Sequence, residues 1–89
     1  MTIKFTPSGW NDYVYWQIQD RKTLKRINRL LEDISRGSGD ALGKPETLLG
    51  SLAGRLSRRI DEKNRLIYRI VEDASAVEVV QCRGHYDDT

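Results

Sequence analysis

Residues 55–82 read RLSRRIDEKNRLIYRIVEDASAVEVVQC, three strand-length runs separated by short polar turns. The spacing predicts strands at about 55–61, 64–72 and 76–82, with Glu62-Lys63-Asn64 and Asp73-Ala74-Ser75 as hairpin connections. Side chains alternate between faces along a strand. Arg55, Ser57 and Arg59 therefore share one face of the first run, with Leu56, Arg58 and Ile60 on the other. In the second run Arg65, Ile67, Arg69 and Val71 oppose Leu66, Tyr68 and Ile70. Antiparallel pairing would bring Arg59 and Arg65 to the same open face. Arg58 and Arg69 also suit ordinary ion pairs with Asp61 or Glu72.

Upstream, Ile3-Lys4-Phe5-Thr6 alternates and stops at Pro7, which predicts a short first strand. Ser8 is the expected cap of a helix running through Gln19, with Pro7 just outside it. Trp10, Tyr13, Val14 and Ile18 form its apolar stripe, leaving Trp16 off the stripe to face a partner or a second helix. Asp20 caps a second helix to about Ser35, whose apolar set is Leu24, Ile27, Leu30, Leu31 and Ile34. Nearly opposite lies a basic set, Arg21, Lys22, Lys25, Arg26 and Arg29. Residues 36–54 read as a long loop tied to the core by Leu48, Leu49 and Leu52. The order β-α-α-β-β-β predicts a single α+β domain over residues 1–89, a mostly antiparallel twisted sheet with both helices on one face.

With 89 residues the core is small. One cysteine, Cys82, excludes an internal disulfide framework and fits a reducing cytoplasm. A single histidine beside that single cysteine makes a structural zinc site a poor fit, and no metal or cofactor is expected. No apolar run approaches the ~20 residues of a membrane span. Net charge is only +2, but basic residues gather at 21–29 and 55–69, and acids dominate from 72 onward. Defined basic patches on a nearly neutral chain suit contact with a polyanion.

Cleaving RNA with side chains alone requires a base for the ribose 2′-hydroxyl, cations for the charged phosphorane and an acid for the departing 5′-oxygen. Arginine suits the cation role because its planar fork bonds phosphate oxygens in pairs and stays ionised. Glu46, after Lys44 and Pro45 in the loop, is a candidate base, and is otherwise an ordinary exposed acid. His85 is the one side chain here whose unperturbed pKa, about 6.5, suits both giving and taking a proton near neutrality. Tyr86 beside it can stack on a base or bond to phosphate. Read without further context, the same dipeptide is a frayed terminus.

The chain closely resembles the YoeB/Txe toxins, a branch of the RelE-type toxins. The resemblance rests on Trp10-Asn-Asp-Tyr13-Val-Tyr15-Trp16, Lys25-Arg-Ile-Asn28, Gly43-Lys44-Pro45-Glu46, Ser57-Arg58-Arg59-Ile60, Asn64-Arg65-Leu66-Ile-Tyr68 and His85-Tyr86, in order and nearly end to end. It implies a toxin of a type II toxin–antitoxin system, a ribosome-dependent and metal-independent mRNA endoribonuclease acting in the cytoplasm. By that resemblance Glu46 is the general base, His85 the general acid, Arg59 and Arg65 the phosphate supports, and Tyr86 positions the nucleotide. Lys44 and Arg58 would contact substrate. Implied partners are a Phd/YefM-type antitoxin, the 70S ribosome with its message, and a second copy through the Trp10 region. Operator DNA would be met only through the antitoxin complex. The basic face of the second helix, Arg21, Lys22, Lys25, Arg26 and Arg29, is read from its charge pattern as the ribosomal RNA contact. Two departures stand out: Arg55-Leu56 where relatives often carry bulky aromatics, and Leu49 where some carry lysine. A related fold in the ParE-type toxins targets DNA gyrase, and a catalytically silent antitoxin-binding member is a third class.

Overall fold

A computed structural model of the chain describes residues 1–37 and 42–85. Among these, five strands form one mixed sheet: β1 (Thr2–Phe5), β2 (Glu46–Thr47), β3 (Leu56–Arg59), β4 (Arg65–Val71) and β5 (Ala76–Gln81). Helices α1 (Pro7–Gln19) and α2 (Arg21–Arg36) follow β1, and a 3₁₀ turn at Gly50–Leu52 precedes β3. The strand order is β1-β5-β4-β3-β2. The β1–β5 pair is parallel and the other pairs are antiparallel. The expected α+β class holds, with the additional short strand β2 inside the segment read as loop.

The first helix starts earlier than its sequence suggests. Thr6, not Ser8, is the cap: its extended backbone turns the chain and its hydroxyl accepts from the Gly9 N–H at 3.0 Å. Pro7 occupies the first helical turn, where a missing N–H costs nothing and the fixed φ already fits the helix. The buried face also differs from the apolar stripe. Gly9 and Trp16, two turns apart, are the buried residues of α1, whereas Trp10 is 49% and Ile18 74% exposed. The cause is a close backbone approach: a Cβ on Gly9 would stand 2.3 Å from the Val79 carbonyl oxygen. A helix resting on β5 through a glycine carries Trp16 inward and turns Trp10 and Ile18 out. Trp10 instead packs with Phe5 and Tyr13 in a half-exposed aromatic cluster.

Asp20 caps α2 as expected, accepting from the Lys22 and Thr23 N–H groups at 3.1 and 3.3 Å. Gly37, in the left-handed conformation, ends it. Its residues Ile27, Leu30, Leu31 and Ile34 pack with Trp16, Leu66, Tyr68, Val77 and Val79 to form the core on one face of the sheet. Leu48 joins the buried set, but Leu49 is 83% exposed and does not tie the loop down.

Between β4 and β5 the register slips, Ile67 facing Gln81 and Tyr68 facing Val79. The extra residue, Val80, makes a β-bulge, which bends β5 and re-aims the chain that follows it.

Candidate active site

The ladder partners place the candidate residues directly. Glu46 faces Ser57, Ser57 faces Ile67, and Arg59 faces Arg65. Opposed residues project to the same side, so Glu46, Ser57, Arg59 and Arg65 share the sheet face turned away from the helices. The two-residue strand β2 is what brings Glu46 there. It is anchored upstream by Gly43, whose carbonyl accepts from the Arg59 N–H at 2.7 Å. Gly43 has φ +80°, and a Cβ there would lie 2.9 Å from both the Arg59 carbonyl oxygen and the Leu30 side chain. Lys44 follows it, exposed and also with positive φ.

Within this group the Arg65 guanidinium is the fixed element. Its side chain is only 7% exposed, Nε donates to Ser57 Oγ at 2.9 Å, and Nη2 lies 3.5 Å from Glu46 Oε2. Glu46, 50% exposed, is the open end of that contact. A rigid cation beside an accessible carboxylate holds opposite charges ready for a phosphate and for a proton. Arg59 is exposed and opposite Arg65, and its carbonyl accepts from Arg26 Nη2 at 3.2 Å. Arg26 thereby joins the basic face of α2 to the sheet. Arg21, Lys22, Lys25 and Arg29 are exposed along that face, where a cleft of about 390 Å³ is lined by Lys22, Thr23, Arg26, Ile60 and Asp61.

His85 is half-buried and follows a strap, Cys82–Gly84, that runs beside the start of β4. The Gly84 carbonyl accepts from the Arg65 N–H at 2.9 Å, so His85 is one residue from a direct backbone link to Arg65. Trp16 Nε1 donates to the Cys82 carbonyl at 2.7 Å, and the Arg83 guanidinium lies 3.7 Å from the centre of the Tyr15 ring. Asp12 accepts from the Cys82 N–H at 3.1 Å. Burial raises the Asp12 carboxyl above its ordinary value, against the opposing pull of the Cys82 and Arg83 N–H groups and the Arg83 charge. Burial also pushes the Cys82 thiol up to about 12, with the Asp12 charge adding to the rise. Tyr86, the expected nucleotide support, lies outside the described residues.

Arg58 does not join this face. It points into the core side, where Nη1 bonds Asp33 Oδ2 at 2.6 Å and the Leu42 carbonyl at 2.8 Å, and Nε bonds the Tyr68 hydroxyl at 3.0 Å. Its expected contact with substrate gives way to a buried structural role, since all three partners lie beneath the sheet and its side chain is 9% exposed. The partner is Asp33 on α2 rather than Asp61 or Glu72. Arg69 likewise pairs with Glu78 across β4 and β5.

The sequence gives no site role to Ser57, Asn64 or Asp12. Ser57 was visible as a small polar residue on the arginine face; Asn64 and Asp12 accept from the chain next to His85, a contact no periodicity reveals. Among the described residues there is no group of three or more histidine, cysteine, aspartate or glutamate side chains able to hold a metal ion.

Comparison with known proteins gives a consistent picture. The profile of the YoeB-like toxin of bacterial type II toxin–antitoxin systems matches residues 5–86. A Streptomyces coelicolor protein, Toxin YoeB, is 51% identical over 97% of this chain and 100% of its own length. The solved YoeB/ParE toxin from Agrobacterium tumefaciens superposes with a TM-score of 0.91 at 42% identity, covering 97% of this chain and 100% of its own. The Staphylococcus aureus relative is solved as a heterotetrameric YoeB–YefM toxin–antitoxin complex, with TM-score 0.85 and 39% identity over 97% of this chain and 98% of that one. It is also solved as a YoeB dimer, with TM-score 0.84 and 40% identity over the same shares.

Proposed function

The chain belongs to the YoeB-like toxins of bacterial type II toxin–antitoxin systems, and from that premise we propose that it is a ribosome-dependent endoribonuclease that cuts message in the ribosomal A site. The observation that carries the reading is the Glu46–Arg65 contact at 3.5 Å, made by an accessible carboxylate and a guanidinium held by Ser57, on the face shared with Arg59. Glu46 takes the proton of the ribose 2′-hydroxyl, whose oxygen attacks the adjacent phosphorus. Arg65 and Arg59 stabilise the charge that builds on the phosphate oxygens. His85 returns a proton to the departing 5′-oxygen, leaving a 2′,3′-cyclic phosphate and a 5′-hydroxyl. Tyr86 supports the nucleotide, and Lys44, exposed beside Glu46, adds positive potential. No metal is required for this sequence of steps, because side chains take both proton roles.

The basic face of α2, joined to the sheet through Arg26, is the docking surface for ribosomal RNA, an electrostatic contact that weakens with salt. A YefM-type antitoxin neutralises the toxin, a reading supported by the Staphylococcus aureus toxin–antitoxin complex, and operator DNA is met only through that antitoxin. Self-association is supported by the dimer of the same relative, and the half-exposed aromatic cluster around Trp10 is the contact proposed for it. The whole cycle belongs to the cytoplasm, where ribosomes and message are.

Purified protein is added to a translating system and the message ends are mapped. Cuts within A-site codons, with cyclic phosphate and 5′-hydroxyl ends, are expected. Intact message together with inhibited DNA supercoiling would replace this reading with a gyrase-directed one.

A further inference from the structure

Two side chains from distant parts of the chain grip the strap that carries His85, one at each end. At its start Asp12 Oδ2 on α1 accepts from the Cys82 N–H at 3.1 Å, and the Arg83 charge and N–H add a weaker pull on the same carboxylate. At its end Asn64 Oδ1, in the turn between β3 and β4, accepts from the Gly84 N–H at 2.8 Å. Asn64 is itself immobilised. Its Nδ2 donates to both Asp61 carboxylate oxygens at 3.1 Å, and its backbone carbonyl accepts from the Ile60 and Asp61 N–H groups at 3.0 and 3.2 Å. A carboxylate only accepts and a backbone N–H only donates, so the network permits a single orientation of this amide.

We infer that Asp12 and Asn64 are positioning residues that together fix the place of His85 over the Arg65 end of the site. The inference rests on the ribonuclease reading only for the task it gives His85; the grip itself is geometry. Neither contact is needed to close the sheet, because β5 ends at Gln81 and α1 docks through Gly9 and Trp16. The strap lies past the last strand and bends at Gly84, whose φ of +84° is a left-handed conformation. A glycine bend swings freely unless its N–H is tied, and Asn64 ties it. Keeping a carboxylate in a half-buried place is unfavourable without compensating donors, and the strap N–H groups supply them. With Arg65 N–H bonded to the Gly84 carbonyl and Asn64 to the Gly84 N–H, both sides of one peptide neighbour of His85 are set by adjacent residues.

The test uses the full chain and the fact that His85 is its single histidine, so its imidazole gives one unambiguous NMR signal. Asn64→Ala and Asp12→Ala are compared with wild type by that signal, by hydrogen exchange of the Gly84 amide, and by single-turnover cleavage on programmed ribosomes. Loss of one tie is expected to speed Gly84 exchange about tenfold in Asn64→Ala. Cleavage is expected to fall about 10- to 100-fold in either alanine variant with ribosome affinity unchanged. Asp12→Asn keeps an acceptor for the Cys82 N–H and is expected to restore both the His85 signal and cleavage toward wild type. An unmoved His85 signal with unchanged Gly84 exchange overturns the inference, as does equal loss of affinity and cleavage. Should Asn64→Ala not fold, the two Asp12 variants decide alone. A wild-type protein that leaves message intact defeats the ribonuclease reading, while the His85 signal still decides the grip.

Discussion

Asp33 on α2 and Arg58 on β3 form an ion pair of 2.6 Å whose side chains are 7% and 9% exposed. Arg58 also bonds the Tyr68 hydroxyl and the Leu42 carbonyl, so helix, sheet and the chain leading to β2 meet on one guanidinium. Removing one member leaves a buried charge without its counter-ion, which costs about 3–5 kcal/mol. Arg58→Ala and Asp33→Ala are therefore expected to lower denaturant midpoints strongly. The double change Asp33→Leu with Arg58→Met is expected to recover much of the loss. Urea unfolding followed by circular dichroism checks this, and a small effect of Arg58→Ala alone would contradict the structural role.

At the candidate site, Glu46→Gln keeps shape and removes the carboxylate proposed as the base. Single-turnover cleavage is expected to fall by about 10²–10⁴-fold, the usual contribution of a positioned proton acceptor, with ribosome affinity retained. Arg65→Lys keeps the charge but not the planar fork that bonds Ser57 and reaches Glu46 at once. A loss of about 10²-fold is expected, as for removal of one stabilising donor. Equal loss of affinity in both variants would make these residues binding groups.

Gly9→Ala tests how α1 is seated. The new methyl would fall 2.3 Å from a backbone oxygen of β5, so the helix must move away rather than a side chain turn aside. Overpacking of this kind costs about 1–3 kcal/mol. Because Asp12, Tyr15 and Trp16 ride on the same helix, cleavage is expected to fall along with the melting temperature. A stable, fully active Gly9→Ala would show that the close approach is not needed.

The three C-terminal strands, the Asp20 cap and the apolar face of α2 were legible because each is written in local period and capping chemistry. The arginine face was legible too: alternation alone puts Arg59 and Arg65 on one side, and their pairing follows from a short turn. Three features were not legible. Gly9 contributes no apolar signal, so the stripe read from Trp10 to Ile18 was displaced from the true face ending at Trp16. A strand as short as Glu46–Thr47 exists only because β3 offers an edge to pair with. Arg58 looked like its neighbour Arg59, and only the position of α2 across the sheet distinguishes a buried pair with Asp33 from a surface charge.

Cys82 is predicted to be chemically silent in the folded protein. It is fully buried, and a thiol pushed up to about 12 holds almost no thiolate at neutral pH. Ellman's reagent is expected to label it only after unfolding. Rapid labelling of the native protein would show that the strap opens readily and exposes it.

Two acids, Asp12 in the middle of α1 and Asp20 just past its end, act with opposite sign on stability against pH. Asp20 is lowered from its ordinary value of 3.8 by the Thr23 hydroxyl and N–H bonds it accepts, so the fold favours its ionised form. That contribution is complete above about pH 4 and is lost as pH falls through the lowered folded value. Asp12, raised by burial, contributes its stability below its ordinary value of 3.8 and loses it as pH rises through the raised folded value. Acid titration followed by circular dichroism is expected to unfold Asp20→Asn with a shallower dependence on pH than wild type, since the amide still caps but no longer titrates. An unchanged acid limb would place the proton uptake elsewhere.

The parallel pairing of β1 with β5 also sets a clock. Thr6 bonds Val80, 74 positions later, so the first strand of the chain waits for one of the last before it has a sheet to join. At synthesis rates of about 5–20 residues per second, that wait lasts several seconds. The stretch that closes the sheet leads straight into the strap bearing His85. A nascent chain therefore holds its basic helix well before β5 and the strap that carries His85 exist, so α2 is made before the face that Glu46, Arg59 and Arg65 share is closed at its far edge.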